Sequence, residues 1–305
     1  MNQINLFIVN IFKIIAVFIT LIIIQFFLFK VLLTNNVNFE VSKDKTILIL
    51  GDSQTETALN DSILKNCINF SKAGDPLFFN YIKLKKIIKN NTHIKTIILG
   101  FSPSNLDSKG FYEVPKMKSK FITYFYLIDY PNYIDIIKYN PEGLIRGLSG
   151  LGKYFIQLNE IIKGKGIEDM KIGGFRPIPY KISELKENIK KDTLIAKSNP
   201  NQIAIKYFTK IVELCETKGL KLIVVNTPIH KSLSKRQLSR KEGYNMFFRE
   251  SHPDIILLDY ENLKMDDIYY FDNNHLNYKG ANIFSEYVNV ELNKFKMISK
   301  NYFKK

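Results

Sequence analysis

Five short apolar runs, at 46–50, 67–70, 96–101, 220–226 and 255–259, set the strongest limit on how this chain folds. Each is too short for a helix and largely apolar without a break, which marks a strand buried on both faces. Amphipathic helical patterns at 77–89, 202–218, about 232–250 and 278–296 separate several of them. Short buried strands alternating with helices predict a parallel sheet covered on both faces, a three-layer α/β/α sandwich. At 305 residues the chain has ample material for such a core.

Ahead of the first strand, the run at 14–33, IIAVFITLIIIQFFLFKVLL, is interrupted only by Gln25 and Lys30. It has the length a bilayer helix needs, and Lys30 is close enough to one end to snorkel. A buried core hairpin is the other way to house such a run. No small-x-small cleavage signal follows in TNNVNFEVSKDK, which predicts an uncleaved anchor. Flanking charge does not fix the orientation, with Lys13 and the amino group on one side and Lys43, Lys45, Glu40 and Asp44 on the other. The chain thus divides into a membrane anchor, 1–36, and an α/β domain, 37–305, expected outside the cytoplasm on a single-pass helix.

The alternation stops between Ser102 and Pro200. An aromatic-rich helical insertion, at about 107–200, is interrupted by Pro131 and Pro141. It continues through KIGGFRPIPYK, where Gly173, Gly174, Pro177 and Pro179 exclude regular structure. It reads either as a cap on the sheet or as a lid over a groove or against the membrane. In the second case the GGFRP loop lies near the site and Arg176 meets an acidic or hydroxyl-rich substrate. The formal net charge of +15 favours acidic partners. Lysines are nevertheless spread through nearly every segment, without an Arg-rich helix or zinc-ligand spacing, so no nucleic-acid partner is expected. Cys67 and Cys215 read as two buried free thiols.

Ligands of an open parallel sheet bind beyond the carboxyl ends of its strands. In TILILGDSQTETALND, Ser53 stands directly after the first strand, on that edge. His93 and His252 precede the third and fifth strands and fall on the opposite edge. His230 and His275 follow the fourth and fifth strands, so only these two can reach Ser53. Asp272, three residues before His275 in DNNH, is placed to hold one ring nitrogen while the other faces a hydroxyl. Asn277 can cap the next helix and Gly280 permits its close packing. The plainer alternatives are an ordinary strand-to-helix turn at Ser53 and a polar surface loop at His275.

GDS after the first strand together with Asp-x-x-His before the last helix resembles the GDSL or SGNH hydrolase superfamily, whose core is a flavodoxin-like sandwich. The resemblance spans the α/β core from about Lys45, leaving out the anchor and the insertion. It implies that Ser53 is a nucleophile served by His275 and Asp272. It also implies an oxyanion hole, for which Gly74 in NFSKAGDPLF matches the second block. The third block, usually Gly-x-Asn-Asp, is replaced by LGFSPSNLD, where Asn105 is the nearest donor, and Gln54 stands in place of the leucine of GDSL. The expected activity is ester hydrolysis or O-acyl transfer, chiefly of acetyl groups on cell-envelope carbohydrate, with no cofactor and no metal. An inactive anchored protein that binds polysaccharide, or an envelope polysaccharide-assembly partner, is the alternative.

Overall fold

The computed structural model describes residues 3–36, 39–106, 110–151, 172–179, 200–236 and 238–302. Five parallel strands, β1 (Ile47–Leu50), β2 (Cys67–Asn69), β3 (Thr96–Gly100), β4 (Lys221–Asn226) and β5 (Ile256–Asp259), form a sheet in the order β2-β1-β3-β4-β5. Each lies within one residue, at either end, of the apolar run that predicts it. Their side chains alternate between two cores. Leu48, Leu50, Ile97, Leu99 and Val224 belong to one buried cluster, and Ile47, Ile49, Ile98, Ile223 and Val225 to the other. Neither face is left to water, which is why the strands lack polar alternation.

The helices, in chain order, are α1 (Gln3–Asn36), α2 (Ser53–Ala58), α3 (Leu77–Asn90), α4 (Pro103–Leu106), α5 (Val114–Tyr124), α6 (Tyr130–Tyr139), α7 (Pro141–Gly150), α8 (Gln202–Thr217), α9 (Lys231–Arg236), α10 (Leu238–Ser251) and α11 (Tyr278–Tyr302). Phe78 and Ile82 of α3, Tyr207 and Phe208 of α8, and Phe247 and Phe248 of α10 fill the first core. Ala58 of α2 and Phe284 and Val288 of α11 fill the second. The helix expected at about 232–250 corresponds to α9 and α10, which flank position 237, a position outside the described residues.

The rhythm of the chain does break after β3, where α4 to α7 follow without a strand. Pro131 and Pro141 open helices instead of interrupting one, because proline fits the first turn, where its missing N–H has no partner to lose. Asp129 caps α6 through Asn132 N at 3.3 Å, and Asn140 caps α7 through Gly143 N at 2.8 Å. The rest of the expected insertion, 152–171 and 180–199, lies outside the described residues. Its piece at 172–179 has no regular structure.

One helix near the N-terminus, Gln3–Thr34, is long and apolar enough to cross a membrane. The helix extends beyond the run at 14–33 in both directions, and its last turns pack on the domain through Phe29 and Leu33.

Candidate active site

Strand order reverses between β1 and β3, and a crevice forms where their connections part. The first turn of α2 fills that crevice. A Cβ on Gly51 or Gly100 would fall 2.3 or 1.6 Å from Thr55 Oγ1, so both strand tips must be glycine for α2 to sit there. Asp52 caps α2 by accepting from Gln54 N at 3.0 Å, and Ser53 opens the helix with its hydroxyl over the strand ends.

His275 comes to Ser53 from the far end of the chain. Its Nε2 lies 2.9 Å from Ser53 Oγ, and its Nδ1 lies 2.9 Å from both oxygens of Asp272. A carboxylate facing Nδ1 selects the tautomer with the proton on that nitrogen, leaving Nε2 to accept from the hydroxyl. The loop around these groups is closed. Phe271 N donates to His275 O at 2.9 Å, and Tyr270 and Leu276 pair as an antiparallel bridge. Asp272 Oδ1 accepts from Asn274 N at 2.7 Å and His275 N at 2.8 Å. Burial works to raise the Asp272 carboxyl, but the hydrogen bond and charge of His275 and the two backbone N–H groups outweigh it and hold it below its ordinary value. Asn277 caps α11 through Lys279 N and Gly280 N, at 3.0 and 3.1 Å. Gly280 is required by the turn at Asp267–Tyr269 rather than by the sheet, since a Cβ there would fall 2.3 Å from Tyr269 O.

Ser53, Gly74 and Asn105 line one cavity of about 240 Å³ together with Asp52, Asp75, Phe78, Phe111, Lys116 and Ile203, among others. Gly74 has φ +72, a conformation side chains rarely adopt. Asn105 is fixed through its carbonyl by Ser102 N and Oγ, at 2.8 and 2.9 Å, and donates one N–H to Asp52 Oδ2 at 2.7 Å. At most one of its N–H groups remains for a ligand.

Beneath Gly74 lies a charged cluster with no counterpart in the sequence reading. The buried Asp75 carboxylate meets Lys83 at 2.7 Å, Lys120 at 2.5 Å and the Tyr124 hydroxyl at 2.6 Å. Lys83 also donates to Phe70 O at 2.5 Å, and Lys120 to Ala73 O. Burial pushes the Lys83 ammonium down against the pull of Asp75, and pushes the Tyr124 hydroxyl well up. The cluster ties the loop that carries Gly74 to α3 and α5.

The remaining candidates lie elsewhere. His230 is buried, with Nδ1 2.8 Å from Ser232 Oγ and Nε2 3.2 Å from Asp267, so its ring is engaged away from Ser53. His252 stacks edge-on against Phe208 and Phe247, both with centroids 5.0 Å away. Arg176 sits beside the site helix but does not line the cavity. Its Nε pairs with Glu56 Oε2, and its N donates to Glu56 O, both at 2.9 Å, which ties the 172–179 segment to α2. Asp52, which caps α2, accepts from Asn105 and lines the cavity, is a further candidate, and an Asp just before a helical segment is the capping signal that marks it in the sequence.

A model of an uncharacterised protein family matches residues 180–296, a span that includes Asp272 and His275 but not Ser53. No curated protein matches the chain.

Proposed function

We propose that residues 37–305 form a three-layer α/β/α domain of SGNH type, anchored by 1–36 and facing outside the cytoplasm, and that it is a serine esterase or O-acyltransferase. The observation that carries this reading is the unbroken chain from Ser53 Oγ to His275 to Asp272, with both handoffs at 2.9 Å, at the point where strand order reverses. Two plainer arrangements, a strand-to-helix turn and a polar surface loop, give no reason for the two to meet.

In this mechanism Ser53 Oγ attacks an ester carbonyl carbon while His275 Nε2 takes its proton. The oxygen that becomes negative is stabilised by the Gly74 N–H and by Asn105. Collapse breaks the ester C–O bond, and His275 returns the proton to the departing alcohol. Water or a sugar hydroxyl then attacks the acyl carbon while His275 takes its proton, the bond to Ser53 Oγ breaks, and His275 returns the proton to Ser53. Asp272 keeps the imidazole oriented and stabilises its charged form without taking the proton. A cavity of about 240 Å³ is below the ~300–1,000 Å³ of sites for larger ligands, which favours a short acyl group such as acetyl. The anchor, with the resemblance, points to envelope carbohydrate as the bearer of that group.

The turning of Asn105 toward Asp52 favours a second reading, an inactive carbohydrate-binding or assembly protein. Full-length protein in detergent, assayed with an activated acetyl ester, separates the two. The enzyme reading expects turnover that disappears in Ser53→Ala and survives in His230→Ala. Turnover equal in parent and Ser53→Ala, or dependent on His230, contradicts it.

A further inference from the structure

We infer that the outer face of α6 lies in the surface of the membrane that α1 crosses, and that the lysine-lined cleft beside it receives anionic lipid head groups. This rests on reading α1 as a membrane span. The exposed face of α6 is largely apolar, with Lys138 at its end, while Ile136 is buried. Tyr130, Ile134 and Ile137, spaced to form one stripe, are 79 %, 50 % and 56 % exposed, while the polar Asn132 and Asp135 are buried. Ile145 and Leu148 of α7 are exposed as well. A stripe of this kind suits the boundary between head groups and acyl chains.

The height of α6 against α1 supplies the occupant. Lys13 and Lys30 are the only charged residues of α1, and at 1.5 Å per residue they stand about 26 Å apart along its axis. The hydrocarbon core of a bilayer is about 30 Å thick, so these two lysines mark its two rims. Lys30 is where the domain docks. Its ammonium donates to Ile128 O and lies 4.9 Å from the centre of the Tyr133 ring, while Phe26 and Phe29 each meet Phe125 with centroids 5.5 Å apart. Thr34 Oγ1 donates to Tyr126 O at 3.1 Å. The start of α6 is therefore held at the rim of the bilayer.

Charge agrees with this placement. A cleft of about 510 Å³ at the amino ends of β3 and β4 is lined by Lys85, Lys89, Lys95 and Lys218. Asn91, also in its wall, binds Phe39 O and Val41 N just beyond α1, at 2.5 and 2.8 Å. Lys85 pairs with Asp129, the cap of α6, so stripe and cleft share one side of the molecule. Ammonium groups at that level meet phosphate-bearing head groups at short range, within a Debye length of the surface.

The chain contains no tryptophan, so one introduced residue reports alone. Full-length protein carrying Ile19→Trp, Ile134→Trp or Val290→Trp is reconstituted into vesicles of phosphatidylcholine and phosphatidylglycerol, with bromine placed high or deep on the acyl chains. Val290 is exposed on α11, the helix whose Phe284 and Val288 pack over the opposite face of the sheet, and it serves as the reference. The expected result is blue-shifted emission at position 134, lost to the high bromines, with position 290 unaffected and position 19 quenched. Quenching at 134 should be stronger in vesicles with phosphatidylglycerol than without, and Lys89→Glu with Lys218→Glu should remove that difference. Quenching at 19 without quenching at 134 overturns this proposal and leaves the membrane span standing. A blue shift at 134 without bromine quenching also overturns it, because the face is then covered by protein, such as a second copy of this chain. Absence of quenching at position 19 contradicts the membrane span itself.

Discussion

The two edges of the sheet differ in a way that cavity size conceals. At the carboxyl edge, a cavity of about 240 Å³ is lined by Ser53 and the carboxylates of Asp52 and Asp75, and the Ser53 hydroxyl meets the His275–Asp272 pair. At the amino edge, a cleft twice as large, about 510 Å³, offers four lysines. The second can attract an anion, but it holds no acid and base poised against each other. Chemistry follows directed proton acceptors, which is why the smaller cavity is the one we propose as reactive. The edges are also joined, since α5 runs from Lys116 at the cavity to the segment beyond Tyr124 that meets α1.

The largest expected contrast between the edges is catalytic. Asp272→Asn should lower kcat/KM for an activated acetyl ester by about 10⁴, the loss seen when a triad carboxylate can no longer hold the tautomer. Lys89→Ala, at the other edge, should leave that value unchanged. Comparable losses in both would mean that the edges are not chemically distinct.

Next in size is stability. Asp75→Ala leaves the buried Lys83 and Lys120 without their carboxylate and should cost about 3–5 kcal/mol in denaturant unfolding. Lys218→Ala, on the exposed cleft wall, should stay within about 0.5 kcal/mol. Equal costs would show that the cluster under Gly74 is not what braces the carboxyl edge.

Gly74→Ala tests the same loop more gently. Space is sufficient, with the nearest neighbour, Lys120 Cε, at 3.6 Å from an added Cβ, so only the φ of +72 opposes it. The expected cost is about 1 kcal/mol, together with a lower kcat at unchanged KM as the N–H shifts. A rise in KM alone would place Gly74 in substrate binding instead.

The smallest effect is a pH dependence. The Asp272 carboxyl titrates below its ordinary 3.8, so its contribution to stability is present above the unfolded value and is lost as pH falls through the folded one. Below about pH 4, parent Tm should therefore fall more steeply than that of Asp272→Asn. Parallel curves would deny the carboxylate its hydrogen bonds.

Much of the carboxyl edge was legible in the sequence because its parts sit at fixed offsets from strands. Ser53 follows β1 directly, and Asp272 and His275 share one loop before α11, so locating the strands locates them. The strands themselves were legible because both faces are buried. What brackets the site was not legible. Asp75, Lys83 and Lys120 come from a loop and two helices, and Lys83 looks like a solvated position on an amphipathic helix until α5 covers it. Arg176 and Glu56 are 120 positions apart, and no local pattern pairs them. Pro131 and Pro141 suggest breaks in the sequence because a proline signal alone does not say whether it ends one helix or starts the next.

The proposed mechanism requires that Ser53 be the residue that becomes acylated. Incubation of full-length protein with a fluorophosphonate, followed by peptide mass mapping, tests it most directly, because a phosphonate on serine stays attached where an acetyl group would leave. One adduct is expected, on Ser53, lost in Ser53→Ala and formed far more slowly in His275→Ala. An adduct on another serine, or labelling of Ser53→Ala at the parent rate, would contradict it.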